Sequence, residues 1–330
     1  MQLPKTMRAS VYEDYGSPDA LKIQTVSVPH CGNNEVLVRV HCSTVNRTDC
    51  GFLRGKPHIV RLFSGLLKPK SKILGCEFAG EVVQKGKQAT GYEIGDRVFG
   101  FKDDDFGFGG HAEYTTMPVG GMLMKIPDSL SYQEVAPALE GAHYALFGIR
   151  ATGVGKAQKV LVNGGTGAIG SATVQICASM DADVTAVCGT EHVDTMRSLG
   201  ARQVVDYQRD DFTKLDEQFD VVMDSVGKST FGQCKPIIKD NGSYISSELG
   251  PYCQNPFLAL FTPLFGKKQV HFPIPTNQKT DAEYICALME RKQFTPLIDR
   301  VYDFEDIASA FHYAESGQKI GNLVINIVDR

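Results

Sequence analysis

One short glycine-rich motif carries the clearest chemistry in the chain. Gly165-Thr166-Gly167-Ala168-Ile169-Gly170 has the spacing G-x-G-x-x-G, and it lies between an apolar run at 160–162 and a helical pattern at 168–180. In a strand–loop–helix context the first glycine permits a tight turn, the second lets the backbone approach a pyrophosphate, and the third allows close helix–strand packing. The N-terminus of the helix also favours an anion. The motif therefore predicts a dinucleotide-binding loop; the alternative is a glycine-rich turn without a ligand.

The end of the second predicted strand bears on which dinucleotide would bind. An acid at this position usually selects NAD, but the chain has Cys188-Gly189-Thr190 there. A small, uncharged strand end leaves room for a 2′-phosphate and favours NADPH. Glu191 argues against this, because an anion near a phosphate is unfavourable, so NADH stays an alternative. The groups that could bind the phosphate are His192, Arg197 and Tyr207, of which Arg197 could equally be a solvated charge.

The N-terminal part of the chain reads as short strands joined by turns. Strands are predicted at 35–40, 78–83 and 97–100, with glycines at the corners. This texture is typical of a compact β-barrel-like domain. Ser131-x-x-Glu134 then has the spacing of a capping box, which predicts a helix through Ala136 to about Arg150.

After residue 150, strands alternate with helices. Strands are predicted at 160–162, 184–187, 204–205, 219–223 and 242–245, with a candidate sixth at 270–272, and helices at 168–180 and 193–199. Buried strands that alternate with helices indicate an α/β fold with a parallel sheet wound on both faces. The tail predicts helices at 280–292 and 304–316 and a strand at 323–327, and we expect it to pack on the first domain. The apolar segment 257–265 contains a proline and is interpreted as a buried or substrate-facing loop.

Composition excludes several classes of protein. The 330 residues carry a net charge of −4, which gives no basic field for nucleic acid. The start lacks the apolar core of a secretory signal, and no run reaches the length of a membrane span. The nine cysteines include no C-x-x-C pair, so we expect reduced thiols in the cytoplasm rather than disulfides or a zinc ribbon.

Strings spread over nearly the whole chain, in order and at similar spacing, resemble the signatures of the medium-chain dehydrogenase/reductases. They are Val45–Asp49, Ile73–Val83, Gly95–Val98, Gly110–Tyr114, Gly164–Gly170, Gly200-Ala201, Asp206-Tyr207, Asp224–Gly227, Pro296–Asp299 and Gly321–Val324. The resemblance implies a GroES-like catalytic domain made from residues 1–135 and 279–330. It also implies an inserted Rossmann NAD(P)-binding domain at 136–278, a cofactor in the cleft, and a homo-oligomer, most simply a homodimer.

The same resemblance bears on zinc. In the zinc-binding branch a cysteine stands at the position of Asn46 and a histidine at the position of Cys76, and the branch has a four-cysteine structural lobe that this chain lacks. Catalytic zinc needs three protein ligands. The chain therefore resembles the zinc-independent quinone oxidoreductase (zeta-crystallin-like) branch, and no metal site is expected. Two departures from the family are Glu191-His192, where a basic residue is common, and Asn322, where a lysine is common.

The resemblance implies hydride transfer from NADPH to a quinone or to the β-carbon of an activated alkene, whose oxyanion then needs a hydrogen-bond donor. Asn46 could donate to a substrate oxygen, hold the nicotinamide, or stabilise a turn. Asp49 could act in catalysis or serve as a structural cap. His143 could contact the nicotinamide or its ribose, or be a satisfied buried histidine. Val226 and Gly227 are expected to line the ribose through backbone groups.

Two segments and two alternative functions stay open. Residues 102–109 could form a lid or a solvated loop, and 57–72 could shape the mouth of the acceptor site. An enoyl-thioester reductase would need basic residues for a carrier phosphate, for which the cluster Lys68, Lys70 and Lys72 is a candidate. The second alternative is a non-catalytic NADPH-binding protein of the crystallin-like or regulatory kind.

Overall fold

A computed structural model describes residues 3–102, 108–273, 276 and 278–328. Within it the chain divides into two compact units. The first unit comprises Met1–Glu140, Asn277–Glu290 and Ile298–Arg330. The second comprises Gly141–Thr276 and Arg291–Leu297, so a short piece of the C-terminal part, 291–297, belongs with the second unit.

The described residues form strands and helices with the following bounds. The strands are β1 Thr6–Val11, β2 Lys22–Ser27, β3 Glu35–Val45, β4 Glu77–Lys85, β5 Arg97–Phe101, β6 Tyr114–Pro118, β7 Met122–Lys125, β8 Lys159–Asn163, β9 Asp183–Cys188, β10 Gln203–Asp206, β11 Phe219–Asp224, β12 Ile238–Ser246, β13 Gln269–His271, β14 Ile298–Asp303 and β15 Asn322–Asn326. The α-helices are α1 Arg47–Arg54, α2 Val60–Ser64, α3 Tyr132–Val135, α4 Glu140–Thr152, α5 Ala168–Ser179, α6 Val193–Ser198, α7 Phe231–Cys234, α8 Gln254–Phe265, α9 Lys279–Glu290 and α10 Ile307–Glu315.

A mostly antiparallel sheet organises the first unit. Its strands follow the order β14-β15-β3-β4-β5-β7, and β6 pairs with β3. β3 is the centre of this sheet, since it pairs with β4, β6 and β15. Most of its side chains are buried, which explains the near-continuous apolar run from Val36 to Val40. Because β15 pairs with β3, the C-terminal tail is part of the same sheet.

The second unit is built on a parallel six-stranded sheet of order β10-β9-β8-β11-β12-β13. The chain runs outward from β8 to β10, then returns to the middle at β11 and runs outward again. Ligands bind at such a reversal of strand order, outside the carboxyl ends of the strands. The buried apolar strands pack into one core with residues such as Leu161, Phe219 and Tyr244. The second unit confirms the predicted Rossmann-type parallel sheet. The first unit confirms the predicted β-rich domain.

Two predicted elements differ from the structure. The capping box at Ser131 and Glu134 is present, but it caps the short helix α3, and a new helix, α4, begins only at Glu140. The prediction of a loop at 257–265 is wrong, because this segment lies in α8. Leu258 and Ala259 of α8 pack on the core while the opposite side of the helix is also apolar, so no amphipathic pattern marks the helix in the sequence.

The remaining predictions concern loops and the membrane. In the proposed lid at 102–109, residues 103–107 lie outside the described residues. The segment 57–72 contains the short helix α2 followed by an exposed turn. Among the helices that the structure describes, none combines the length and the hydropathy that crossing a membrane requires.

Candidate active site

The glycine loop joins β8 to α5 in the second unit. Gly167 is the N-cap residue of α5, with extended backbone at φ −70° and ψ 169°. The Gly165 N–H donates to the carbonyl of Val187 at 3.0 Å, and the Gly167 N–H donates to the carbonyl of Gly164 at 3.1 Å. These bonds fix the loop at the carboxyl end of the central strand. Helix α5 begins at Ala168. The N–H groups of its first turn, including those of Ala168 and Ile169, have no carbonyl partner within the helix, so they can donate to an anion.

The glycines of this loop differ in the space around them. A Cβ on Gly170 would lie 2.1 Å from the carbonyl oxygen of Gly164, and a Cβ on Gly165 would lie 2.9 Å from the sulfur of Met196. These two glycines are needed for packing. A Cβ on Gly167 would meet only the oxygen of Gly164, at 3.6 Å. Gly167 therefore borders open space, as close approach of a diphosphate would require.

A cavity of about 220 Å³ lies within the second unit, next to this loop. Ile169 and Thr173 of α5 form one of its walls. The other lining residues come from α4 and from the carboxyl ends of β11 and β12 and the segment after β13: Tyr144, Ala145, Phe147, Gly148, Met223, Asp224, Ser225, Ile245, Ser246, Ser247, Phe272 and Pro273. Mostly apolar walls with a few hydroxyl groups are typical of a site for a small molecule or a cofactor.

The end of β9 places the predicted ribose-phosphate residues together. Cys188 is buried, and burial raises the pKa of its thiol to about 11. Gly189 precedes a single helical turn that begins at Thr190 and contains His192. The Tyr207 N–H donates to the carbonyl of Cys188, and the Tyr207 ring is exposed. The residues after the strand therefore form one exposed group beside a neutral, buried thiol.

Asp206 is an acid in this region, which the sequence analysis used for the family resemblance but not as a site residue. It lies at the end of β10, next to the end of β9. The Thr190 hydroxyl donates to its carboxylate at 2.5 Å, and this bond holds the pKa of Asp206 below its usual value. Arg209 forms an ion pair with the same carboxylate. Asp206 thus has partners of its own, so it differs from an acid free to bind ribose hydroxyls.

Val226 and Gly227, predicted to line the ribose, lie in a turn after β11. Their N–H groups donate to the Asp224 carboxylate at 3.2 and 3.0 Å. The Asn163 side chain, at the end of β8, donates to the same oxygen of Asp224 at 3.1 Å. The N–H groups of the turn are therefore engaged within the protein.

A buried polar network centred on Asn46 lies in the first unit. The Asn46 amide nitrogen donates to Glu140 at 2.8 Å and to Glu77 at 3.1 Å. Its amide oxygen accepts a bond from the ammonium group of Lys319 at 3.2 Å. The Glu77, Glu140 and Asn46 side chains are buried, whereas Lys319 is partly buried. The amide dipole of Asn46 thus lies between one cation and two carboxylates.

Burial raises the pKa values of both carboxyl groups of this network, Glu77 and Glu140. Repulsion from Glu140 adds to the shift of Glu77, and repulsion from Asp49 adds to the shift of Glu140. Glu77 accepts four hydrogen bonds, from the backbone N–H groups of Leu139 and Glu140 and from the side chains of Thr44 and Asn46. Four donors stabilise the ionised form of Glu77. Glu140 also accepts hydrogen bonds, from the Thr48 hydroxyl and from the Asn46 amide.

The three predicted catalytic residues lie in different surroundings. Both hydrogens of the Asn46 amide are directed at carboxylates, so donation to a substrate would require one of these bonds to break. Asp49 accepts from the Asn46 N–H at 2.9 Å and the Gly75 N–H at 3.0 Å, which are the bonds of a structural cap. His143 belongs to the second unit and is fully buried in α4, with its ring edge-on to Phe147.

Comparisons with known proteins agree with this geometry. Residues 32–128 match the family described as the alcohol dehydrogenase GroES-like domain, and residues 199–325 match the one described as zinc-binding dehydrogenase. The mitochondrial NAD(P)H oxidoreductase RTN4IP1 of Drosophila melanogaster is 30% identical, over 97% of this chain and 86% of the relative. The chain belongs to the quinone oxidoreductase branch of the medium-chain dehydrogenase/reductases.

Two further relatives place this medium-chain reductase more closely. A 2-methylene-furan-3-one reductase of Solanum lycopersicum is 29% identical, over 99% of this chain and 80% of the relative. A solved quinone oxidoreductase of Coxiella burnetii, 22% identical, superimposes with a TM-score of 0.87 over 98% of this chain and 100% of that chain, which shows the same fold.

Three residues of this medium-chain reductase that belong to the buried network escaped the sequence reasoning. Glu77 stands in an apolar strand next to Cys76, and a charge in such a strand was a signal that could have been used. Glu140 opens α4 and gave no signal of its own. Lys319 lies 273 positions from Asn46, its partner, so no local pattern could connect the two residues.

Proposed function

We propose that this protein uses NADPH to reduce quinones or α,β-unsaturated carbonyl compounds, and that it does so without zinc. The observation that carries the proposal is the open space beside Gly167, at the carboxyl end of the central strand of a parallel sheet. The Solanum relative reduces a compound that its name describes as a methylene-furanone, which is an activated alkene. The quinone and enone substrates have this electron-poor acceptor in common.

The residues of the second unit would hold the cofactor. The backbone from Gly165 to Gly170 would face the diphosphate, and the N-terminus of α5 would stabilise its charge. Beside Thr190, the exposed ring of Tyr207 would offer its hydroxyl to a 2′-phosphate. When bound, the reduced nicotinamide supplies the hydride. The apolar side chains around the neighbouring cavity, among them Phe147 and Ile169, would exclude water from the ring.

Zinc-independence is supported by the chemistry of the Asn46 network. An amide is a weaker zinc ligand than a thiolate or an imidazole, and the Asn46 nitrogen is directed at two carboxylates. The ammonium of Lys319 touches the other end of the amide and would repel a divalent cation. Cys76 has a buried thiol whose pKa is well above its usual value, because burial and Glu140 disfavour the thiolate that a metal needs.

A steady-state assay tests the reaction. NADPH and NADH are compared with 1,4-benzoquinone, a naphthoquinone, an alkenal, an enone and a short enoyl-thioester. Turnover with the quinones or enones and NADPH is expected. Preferential turnover of the thioester would favour the enoyl reductase alternative. NADPH binding without turnover of any acceptor would favour the non-catalytic alternative.

Zinc-independence needs its own experiment. Turnover is expected to be unchanged after dialysis against a chelator, and metal analysis of the purified protein should find far less than one zinc per chain. Loss of turnover that zinc restores, or a full equivalent of bound zinc, would refute this part of the proposal.

We also propose that the protein forms a homodimer through α8. We further propose that it is located in the cytoplasm. Phe257, Leu260, Phe261 and Leu264 of α8 are all exposed, and the helix carries no charged residue. An uncharged apolar face is suited to contact with a copy of itself. All nine cysteines are free thiols, which supports a reducing compartment. Light scattering of wild type and Leu260→Asp tests the dimer, and cell fractionation tests the location.

A further inference from the structure

A second exposed apolar surface lies in the first unit. It consists of Ile59, Leu62, Phe63, Leu66 and Leu67, which we call the 59–67 surface. All five side chains are more than half exposed, and Leu66 and Leu67 are 65% and 85% exposed. A group of large apolar side chains on the outside of a soluble protein marks a contact surface.

The turn that carries the two leucines is held in place by hydrogen bonds. The Tyr15 hydroxyl lies 2.6 Å from the carbonyl oxygen of Gly65 and 2.7 Å from the Ser64 hydroxyl. The Lys70 N–H donates to the carbonyl of Ser64 at 2.7 Å and closes the turn. Gly65 has a φ of 122°, and a Cβ there would lie 2.1 Å from the carbonyl oxygen of Lys68. The polar atoms of the turn are thus bonded inward, while both leucines face solvent.

The surroundings of the 59–67 surface are basic. Between Asp49 and Glu77 the chain has no acidic residue, although the whole protein has a net charge of −4. Lys68 and Lys72 form ion pairs with Asp14 and Glu13. For Lys56 and Lys70, both exposed, no ion pair is found among the described residues. The other basic residues of this stretch are Arg54, which forms an ion pair with Glu315, and His58 and Arg61.

We propose that the 59–67 surface docks on an anionic lipid bilayer. Apolar side chains at the tip of a turn can enter the boundary between headgroups and acyl chains, while the lysines around them contact anionic headgroups. A second copy of the chain is a poorer partner, because the same basic residues would face each other. The charge thus distinguishes this surface from the uncharged face of α8.

Docking has a consequence for the substrate. A quinone with a long apolar tail is dissolved in the bilayer. An enzyme bound at the membrane surface can reach the quinone ring without extracting the tail into water. This extension to membrane quinones rests on the proposed function, whereas the docking itself does not.

Vesicle sedimentation tests the proposal with the full chain. The vesicles contain phosphatidylcholine alone or phosphatidylcholine with a minority of phosphatidylglycerol. The wild type is expected to bind only the anionic vesicles, and less tightly as salt rises. Leu66→Ser/Leu67→Ser should weaken binding about tenfold or more, and Lys56→Ala and Lys70→Ala about fivefold each.

Ile94→Ser is the matched control, because Ile94 is an exposed apolar residue of the same unit outside this surface. It should bind vesicles as the wild type does. Absence of binding by the wild type, or an equal loss in Ile94→Ser, would overturn the proposal. So would a double leucine variant that loses dimers in light scattering but keeps its vesicle binding. Turnover of soluble benzoquinone is measured separately, so failure of the proposed reaction leaves the result on docking readable.

Discussion

Two glycines of the same loop should respond in opposite ways to a side chain. Gly167 borders open space, while Gly170 lies against the backbone of Gly164. We predict that Gly167→Val leaves the fold intact but prevents close approach of the diphosphate. We predict that Gly170→Ala instead destabilises the fold. The pair separates the binding role of the motif from its packing role within six residues of sequence.

The magnitudes follow from the geometry. Each charge-assisted hydrogen bond lost by the diphosphate costs about 1.5–3 kcal/mol, so the dissociation constant of NADPH should rise about a hundredfold in Gly167→Val. Valine is a poorer N-cap than glycine, which should lower the free energy of unfolding by about 1 kcal/mol. In Gly170→Ala the new methyl group would lie 2.1 Å from a backbone oxygen. An overlap of this kind costs about 3 kcal/mol or more, because the backbone cannot rotate away as a side chain can.

Isothermal titration with NADPH and urea denaturation of the same samples measure the two effects. Gly167→Ala should bind with intermediate affinity, since a methyl group fills less of the space than valine does. The reasoning is refuted if folded Gly167→Val binds NADPH as the wild type does. It is also refuted if Gly167→Val loses as much stability as Gly170→Ala.

Three further changes test other parts of the molecule. Lys319→Met leaves the buried carboxylates without their cation and should lower the free energy of unfolding, measured in urea, by about 2–3 kcal/mol. The control Lys267→Met removes an exposed ion pair and should lower the free energy of unfolding by less than about 1 kcal/mol. Burial lowers the pKa of His111 from 6.5 to about 4. The contribution of the neutral His111 to stability is therefore present above pH 6.5 and lost as the pH falls towards 4. In His111→Gln, the free energy of unfolding should lose about 3 kcal/mol less than in the wild type over this pH range. Tyr207→Phe should weaken the binding of NADPH about tenfold and leave the binding of NADH unchanged. Equal effects on the two affinities would contradict a role of Tyr207 in binding the 2′-phosphate.

The fold of the second unit could be read from the sequence because its signals are local. Val160–Val162 is apolar on both faces, as a central parallel strand must be, and a glycine loop follows directly. α8 could not be read in this way. Its core-facing Leu258 and its solvent-facing Leu260 are equally apolar, so the residues that should reveal a helix gave no contrast.

The candidate site shows the same difference between signals that are local in the sequence and contacts between distant residues. The cofactor loop is a contiguous string, and the sequence locates all of it. The network of the first unit joins β3, β4, α1, α4 and the residues before β15, and its members are far apart in the chain. The hydrogen bonds of Asn46 could not be predicted because its partners are set by the sheet pairing. For this reason the sequence left three roles open for Asn46, a substrate donor, a nicotinamide contact and a turn-stabilising amide, whereas the structure directs the amide at Glu77 and Glu140.

The arrangement of this network indicates why two carboxylates are kept in the interior. Two buried charges of the same sign are unfavourable, so their net contribution to stability is small or negative. Glu77, however, joins the β4 strand to the two N–H groups of residues 139 and 140, where α4 begins. Glu140 in turn contacts Thr48 of α1 and the Asn46 amide. An apolar pair of equal volume could fill the same space but could not direct these donors. The network therefore acts through position: it sets where α1 and the start of α4 lie, and Lys319 supplies the positive charge that makes this placement stable.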